Sequence, residues 1–131
     1  MEINKKMNKL EIMDMLDWNM PKEVQLNGIS LARKSETIAP FIQPLTPNHN
    51  KNVWENCATI IAERNDEQLK PYLVALLEWL QDMNWPGATC ILSRLLKYSD
   101  HLSISNAVKL CIQKAEQNDD FIWKENLFLL I

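Results

Sequence analysis

Five side chains have the chemistry of transition-metal ligands or of a nucleophile with its base: Cys57, Cys90, Cys111, His49 and His101. A locally closed zinc site needs ligands about two to five residues apart, and no two of these five have that spacing. A site assembled from separate helices stays open, set against the plainer expectation of buried structural cysteines and exposed loop histidines. A catalytic cysteine needs a histidine partner in an electropositive, partly open setting. His101 follows a turn near a helix start, whereas each cysteine lies in an apolar helical stripe, so burial is the expected role of all three. Serine catalysis lacks a Gly-x-Ser-x-Gly elbow, and Ser93, Ser99, Ser103 and Ser105 read as helix-surface or capping residues. Ser99, Asp100 and His101 are adjacent in sequence, which is not how a triad is built.

Carboxylates pair at Asp14 and Asp17, at Glu78 and Asp82, and at Asp119 and Asp120. Acids so spaced at helix ends are ordinarily solvated faces or turn formers, although a pair can do general acid-base work. Asp17 and Asp82 each stand two residues before an asparagine, Asn19 and Asn84, a combination suited to shaping a turn. Trp18 and Trp85 lie in the same two turns, where an aromatic either seals the end of a helix pair or stands out as a binding anchor. Sealing is the expected role, because stacked units must close their ridges. Trp54, Trp79 and Trp123 fall in or beside apolar stripes and are expected in the core.

These residues must be positioned by helices. Only two glycines occur, so tight hairpins and phosphate-cradling loops lack their usual material. Six prolines divide the chain into segments of helical length, with apolar residues every three or four positions. The clearest helix is expected at 69–81, where Leu69, Leu73, Leu76, Leu77 and Leu80 form one stripe and Pro71 suits the first turn. The next is expected to open at Pro86, with Ile91, Leu92, Leu95 and Leu96 inward and Arg94 and Lys97 directed elsewhere. Further helices are expected at 8–16, 21–34, 52–64, 104–115 and 121–131, the last docked through Trp123, Leu127 and Leu130. The stretch 36–50, with Pro40, Pro44 and Pro47, allows a short helix and a flexible loop.

An internal repeat emerges when the chain is laid over itself. Asp17-Trp18-Asn19-Met20-Pro21 matches Asp82-Met83-Asn84-Trp85-Pro86 without a gap, and in the same alignment Leu26 falls on Ile91 and Leu31 on Leu96. In each copy an apolar helix stops at a polar turn and a proline opens the next helix. If the offset from Asp17 to Asp82 spans two units, the period is roughly 32 residues, close to that of helical solenoids. Four units then lie near 7–35, 36–65, 66–99 and 100–131 within one domain, the second degenerate because of its prolines.

The run Leu76-Leu77-Glu78-Trp79-Leu80-Gln81-Asp82-Met83-Asn84-Trp85-Pro86-Gly87-Ala88 resembles a bacterial family of small HEAT-like proteins of unassigned function. The resemblance is strongest over 66–96 and extends from Trp54 through Lys124. It implies an all-α superhelix of about four antiparallel helix pairs. Members of that family are similar to helical-repeat proteins found near contact-toxin systems, which implies an immunity role. It supplies no catalytic or ligand residues.

Composition agrees with a globular chain: 47% hydrophobic and 24% charged over 131 residues, enough to bury a core without staples. Net charge is -3 with no run of basic residues, which argues against nucleic acid as a partner. No apolar stretch is long enough to span a bilayer, 72–80 being interrupted by Glu78, and the start lacks an unbroken apolar signal region. Three widely spaced cysteines suit a reducing compartment, hence the cytoplasm. The expectation is a non-enzymatic protein-binding module without a cofactor, its binding candidates Asp17, Trp18, Glu78, Asp82 and Trp85. The alternative is a small enzyme or ligand-binding protein in which Glu78, Asp82 and His101 converge in a pocket.

Overall fold

The computed structural model describes residues 9–43 and 51–131. The expected flexible loop falls largely at 44–50, outside the described residues, together with His49, Pro44 and Pro47. Among the described residues every regular element is helical. Helix α1 spans Lys9–Met15 and α2 Lys22–Arg33, followed by a single 3-10 turn at Ala39–Phe41. A 3-10 turn at Lys51–Val53 runs into α3, Trp54–Ala62. After α4 (Asp66–Leu69) and α5 (Leu73–Glu78) come α6 (Ala88–Leu96), α7 (His101–Gln117) and α8 (Phe121–Phe128).

In place of the continuous rod expected at 69–81, the chain starts earlier and is interrupted. Asn65 accepts from the Gln68 amide at 2.9 Å while the Gln68 side chain accepts from the Asn65 amide at 3.1 Å, a capping box that starts α4 at Asp66. Pro71 therefore falls beyond the first turn, where its missing N–H matters, and the chain passes through a 3-10 turn at Lys70–Tyr72 before α5 resumes. A second 3-10 turn, Trp79–Gln81, tightens the rod before it ends. Helix α6 opens at Ala88 instead of Pro86, because Gly87 turns the chain with φ +85°. A Cβ there would lie 2.7 Å from the Ala58 Cβ and 2.9 Å from the Trp54 carbonyl, so only glycine fits this turn against α3.

That altered helix start also shifts the register of the repeat. The turns align Asp17 with Asp82, but the buried stripe Gly28 and Ala32 of α2 corresponds to Ile91 and Leu95 of α6, two positions short of that alignment. Leu26 and Leu96 are exposed, and Leu92 only flanks the core. Gly28 lets α1 approach α2 closely, since a Cβ would meet the Met15 Cβ at 2.8 Å.

The helices pack pairwise, α1 on α2, α2 on α3, α3 on α6, α5 on α7, α7 on α8, and α8 on the 79–81 turn. The buried side chains join in one core, with Phe41, Ile61, Leu76, Leu77 and Trp79 fully enclosed. Trp54, Trp79 and Trp123 lie in the core as expected, and α8 is docked by Trp123 and Leu127 with Leu130 partly buried. Helix ends are tied to their neighbours by arginines. The Arg64 guanidinium donates to the Ala32 carbonyl at 2.9 Å, closing the end of α2, and Arg94 donates to the Arg64 carbonyl at 2.9 Å just beyond α3. Such bonds satisfy carbonyls that a helix terminus leaves without partners.

A candidate interaction face at the elbows

Both Asp-x-Asn elbows fold through the same local bonds. Asp17 Oδ1 accepts the Asn19 amide at 2.8 Å, and Asp82 Oδ1 accepts the Asn84 amide at 2.8 Å. The main chain closes identically, Met20 donating to the Asp17 carbonyl at 2.9 Å and Trp85 to the Asp82 carbonyl at 3.0 Å. An aspartate side chain that mimics a backbone turn, followed by a residue tolerant of turn geometry, accounts for both. Each elbow is also clamped by an asparagine from a distant helix. Asn56 donates to the Leu16 carbonyl at 2.7 Å, and Asn126 to the Leu80 carbonyl at 2.7 Å.

The two elbows differ in where they carry the aromatic ring. In the first, tryptophan follows the aspartate directly, and Trp18 is 47% exposed, Met20 39% and Leu26 53%. This corrects the expectation that Trp18 seals a ridge. The second carries Trp85 three residues after its aspartate, half-buried, with its ring edge-on to Trp54 at 5.2 Å. Trp54 in turn stands edge-on to Trp79 at 5.9 Å, whose indole N–H donates to the Pro86 carbonyl at 2.9 Å. The segment just before α3 bridges the elbows: the Asn52 carbonyl accepts the Trp18 amide at 3.1 Å, and the Lys51 ammonium lies 5.5 Å from the Trp85 ring. Asp17, Trp18, Asp82 and Trp85 thus belong to one edge of the molecule.

Beneath Trp18 the backbone is firmly held. Gln25 donates to the Met20 carbonyl at 2.7 Å and to the Trp18 carbonyl at 3.2 Å, and its own side-chain oxygen accepts from Asn56 at 2.9 Å. The ring is therefore presented on a preorganised turn, which lowers the ordering cost of any contact it makes.

Glu78 lies apart from this edge, paired with Lys114 of α7 at 3.1 Å. His101 is the exposed first residue of α7, 13 positions from Lys114 and so about 20 Å away along the helix. Asp82 is committed to its elbow. The three groups of the pocket alternative do not converge.

A surface cleft of about 490 Å³ opens instead between α3 and α6, lined by Ala62, Asp66, Cys90, Ser93, Arg94 and Lys97. Asp66 accepts the Ser99 hydroxyl at 2.6 Å, the Ser99 amide at 2.8 Å and Arg94 at 2.6 Å. Led by the Ser99 hydroxyl, these donors hold its carboxyl down at about 2, too acidic for a general base near neutrality. Cys90 is half-buried in this cleft instead of fully buried as expected, and burial pushes its thiol up. Burial raises Cys57 to about 12 and Cys111 to about 11, so none of the three is poised as a thiolate. Cys57 faces the Met13 sulfur at 3.8 Å and Cys111 the Val74 carbonyl at 4.0 Å. No group of three or more metal-ligating side chains occurs among the described residues.

The sequence matches the model of a domain of unknown function, DUF5071, over residues 45–131. The chain belongs to that family. The matched part carries the second elbow, the cleft and α3 through α8, while the first elbow precedes it. No curated protein and no solved structure matches the chain. Among the described residues no helix is long and apolar enough to cross a membrane.

Proposed function

We propose that this chain is a non-enzymatic protein-interaction module, a HEAT-like array of short helix pairs that binds another protein along its elbow edge. The observation that carries the reading is Trp18, 47% exposed on a turn whose Leu16, Asp17, Trp18 and Met20 carbonyls are all tied down. Tryptophan is enriched among the residues that anchor interfaces, and a rigid mount lowers the cost of using one. Asp17 and Asp82 on the same edge, with a net charge of -3, favour a basic partner. A basic toxin domain held by an immunity protein is one such partner, and the resemblance to helical proteins near contact-toxin systems favours it. The arginine steps from Ala32 to Arg64 to Arg94, about one repeat unit apart, support the HEAT-like arrangement. Three free cysteines suit a reducing compartment, and we place the protein in the cytoplasm.

Photocrosslinking in the native host tests the reading. With p-benzoylphenylalanine at position 18, a discrete adduct to a basic protein is expected, whereas the same probe at Gln113 on α7 gives none. No adduct from position 18, or the same adduct from both positions, refutes the proposed face.

A further inference from the structure

We infer that two copies of this chain associate through the outer face of α8. Helix α8 is fixed to the body on one side only. Trp123 and Leu127 are buried, the Trp123 indole donates to the Leu77 carbonyl at 3.0 Å, and Asn126 holds the Leu80 carbonyl. Asp120 caps the helix by accepting the Trp123 amide at 3.0 Å. On the other side Phe121 is 70% exposed, Ile122 68%, Phe128 50% and Leu129 56%. At 100° per residue these four and Glu125 fall within an arc of about 120°, opposite the docked stripe. The face is thus an apolar surface on a helix that is itself well anchored.

Two features point to a second copy as the occupant. The first is spacing. Positions 121, 122, 125, 128 and 129 read the same in both directions about Glu125, the requirement for an isologous contact made by one surface with itself. A twofold axis over Glu125, with the helices antiparallel, sets Phe121 against Leu129 of the second copy and Ile122 against its Phe128. The second is area. At roughly 200 Å² per large side chain, the four expose about 500 Å² in each copy. Pairing removes about 1,000 Å² in total, near the lower bound for a specific interface, so the dimer expected is a weak one. The same axis brings two Glu125 carboxylates together, so one like-charge contact limits the affinity. Helix α8 adjoins the second elbow through Asn126, but its outer face includes none of Asp17, Trp18, Asp82 and Trp85, and the inference stands independently of the proposed function.

Sedimentation velocity of the full chain between about 1 and 300 µM tests it. Expected is a concentration-dependent shift from the 15.3 kDa monomer to twice that mass. Ile122→Lys should weaken association at least tenfold without changing helicity or the thermal midpoint, because the residue is exposed. Glu125→Gln should tighten the dimer roughly threefold, and Trp18→Ala should leave it unchanged. A monomer throughout, open-ended oligomers, association indifferent to Ile122→Lys, or weakening by Glu125→Gln would each overturn the inference.

Discussion

Asp66→Asn removes a single charge from a site where three donors converge, and its effect can be worked out in size and pH dependence. In the folded chain the Asp66 carboxyl lies at about 2 against an ordinary 3.8. A difference of nearly two pH units corresponds to about 2.4 kcal/mol at ~1.36 kcal/mol per unit. The side chain is 27% exposed and shallowly placed, so solvent screening reduces this to about 1–2 kcal/mol. Because the folded carboxyl is the more acidic, its contribution is complete above the unfolded value and is lost as pH falls through 3.8 toward 2. Asn keeps the shape and never ionises. The stability gap between wild type and Asp66→Asn should therefore be about 1–2 kcal/mol at pH 7 and shrink to about a third of that at pH 2.5. Urea titrations followed by tryptophan fluorescence at both pH values measure the gap, and other carboxylates cancel in the difference. A gap that is equal at pH 7 and pH 2.5 would refute the assignment of charge-assisted bonds to Asp66.

Three further outcomes follow from the packing. Gly87→Ala should cost about 2–4 kcal/mol in the urea midpoint, since it combines a φ of +85° with a Cβ 2.7 Å from Ala58. Trp79→Phe should cost more than Trp54→Phe, because Trp79 donates to the Pro86 carbonyl while the buried Trp54 indole N–H meets no acceptor among the described residues; the expected difference is about 1–2 kcal/mol by thermal denaturation. Asn56→Ala should raise hydrogen exchange at the Trp18 and Met20 amides by roughly tenfold while leaving α7 unchanged, as read by mass spectrometry.

The helical class and the elbows were legible because each depends on neighbours in sequence. Leucines three and four apart declare a stripe wherever they occur, and an aspartate two residues before an asparagine makes its turn locally, which is why the same bonds recur at Asp17 and at Asp82. The interruption at Pro71 was not legible, because its consequence depended on a helix start set upstream by Asn65 and Gln68. The exposure of Leu26 and Leu96 was hidden because the helices after the two elbows start differently, α2 at Lys22 directly after its proline and α6 at Ala88 beyond the left-handed Gly87. The exposure of Trp18 was hidden for a related reason. The exchange of tryptophan and methionine between the elbows looks neutral in sequence, yet Trp85 has Trp54, 31 positions away, to pack against, and Trp18 stays exposed. Clamps such as Asn56 on Leu16 and Arg94 with Asp66 join residues 28 to 40 positions apart, and no local pattern announces them.

The affinity of the partner captured at position 18 tests the central claim most directly. Isothermal titration of that purified partner against wild type and Trp18→Ala should show a loss of at least about thirtyfold, the scale of an anchor worth ~2 kcal/mol. Equal affinity for the two proteins, with both fully folded, would contradict the account.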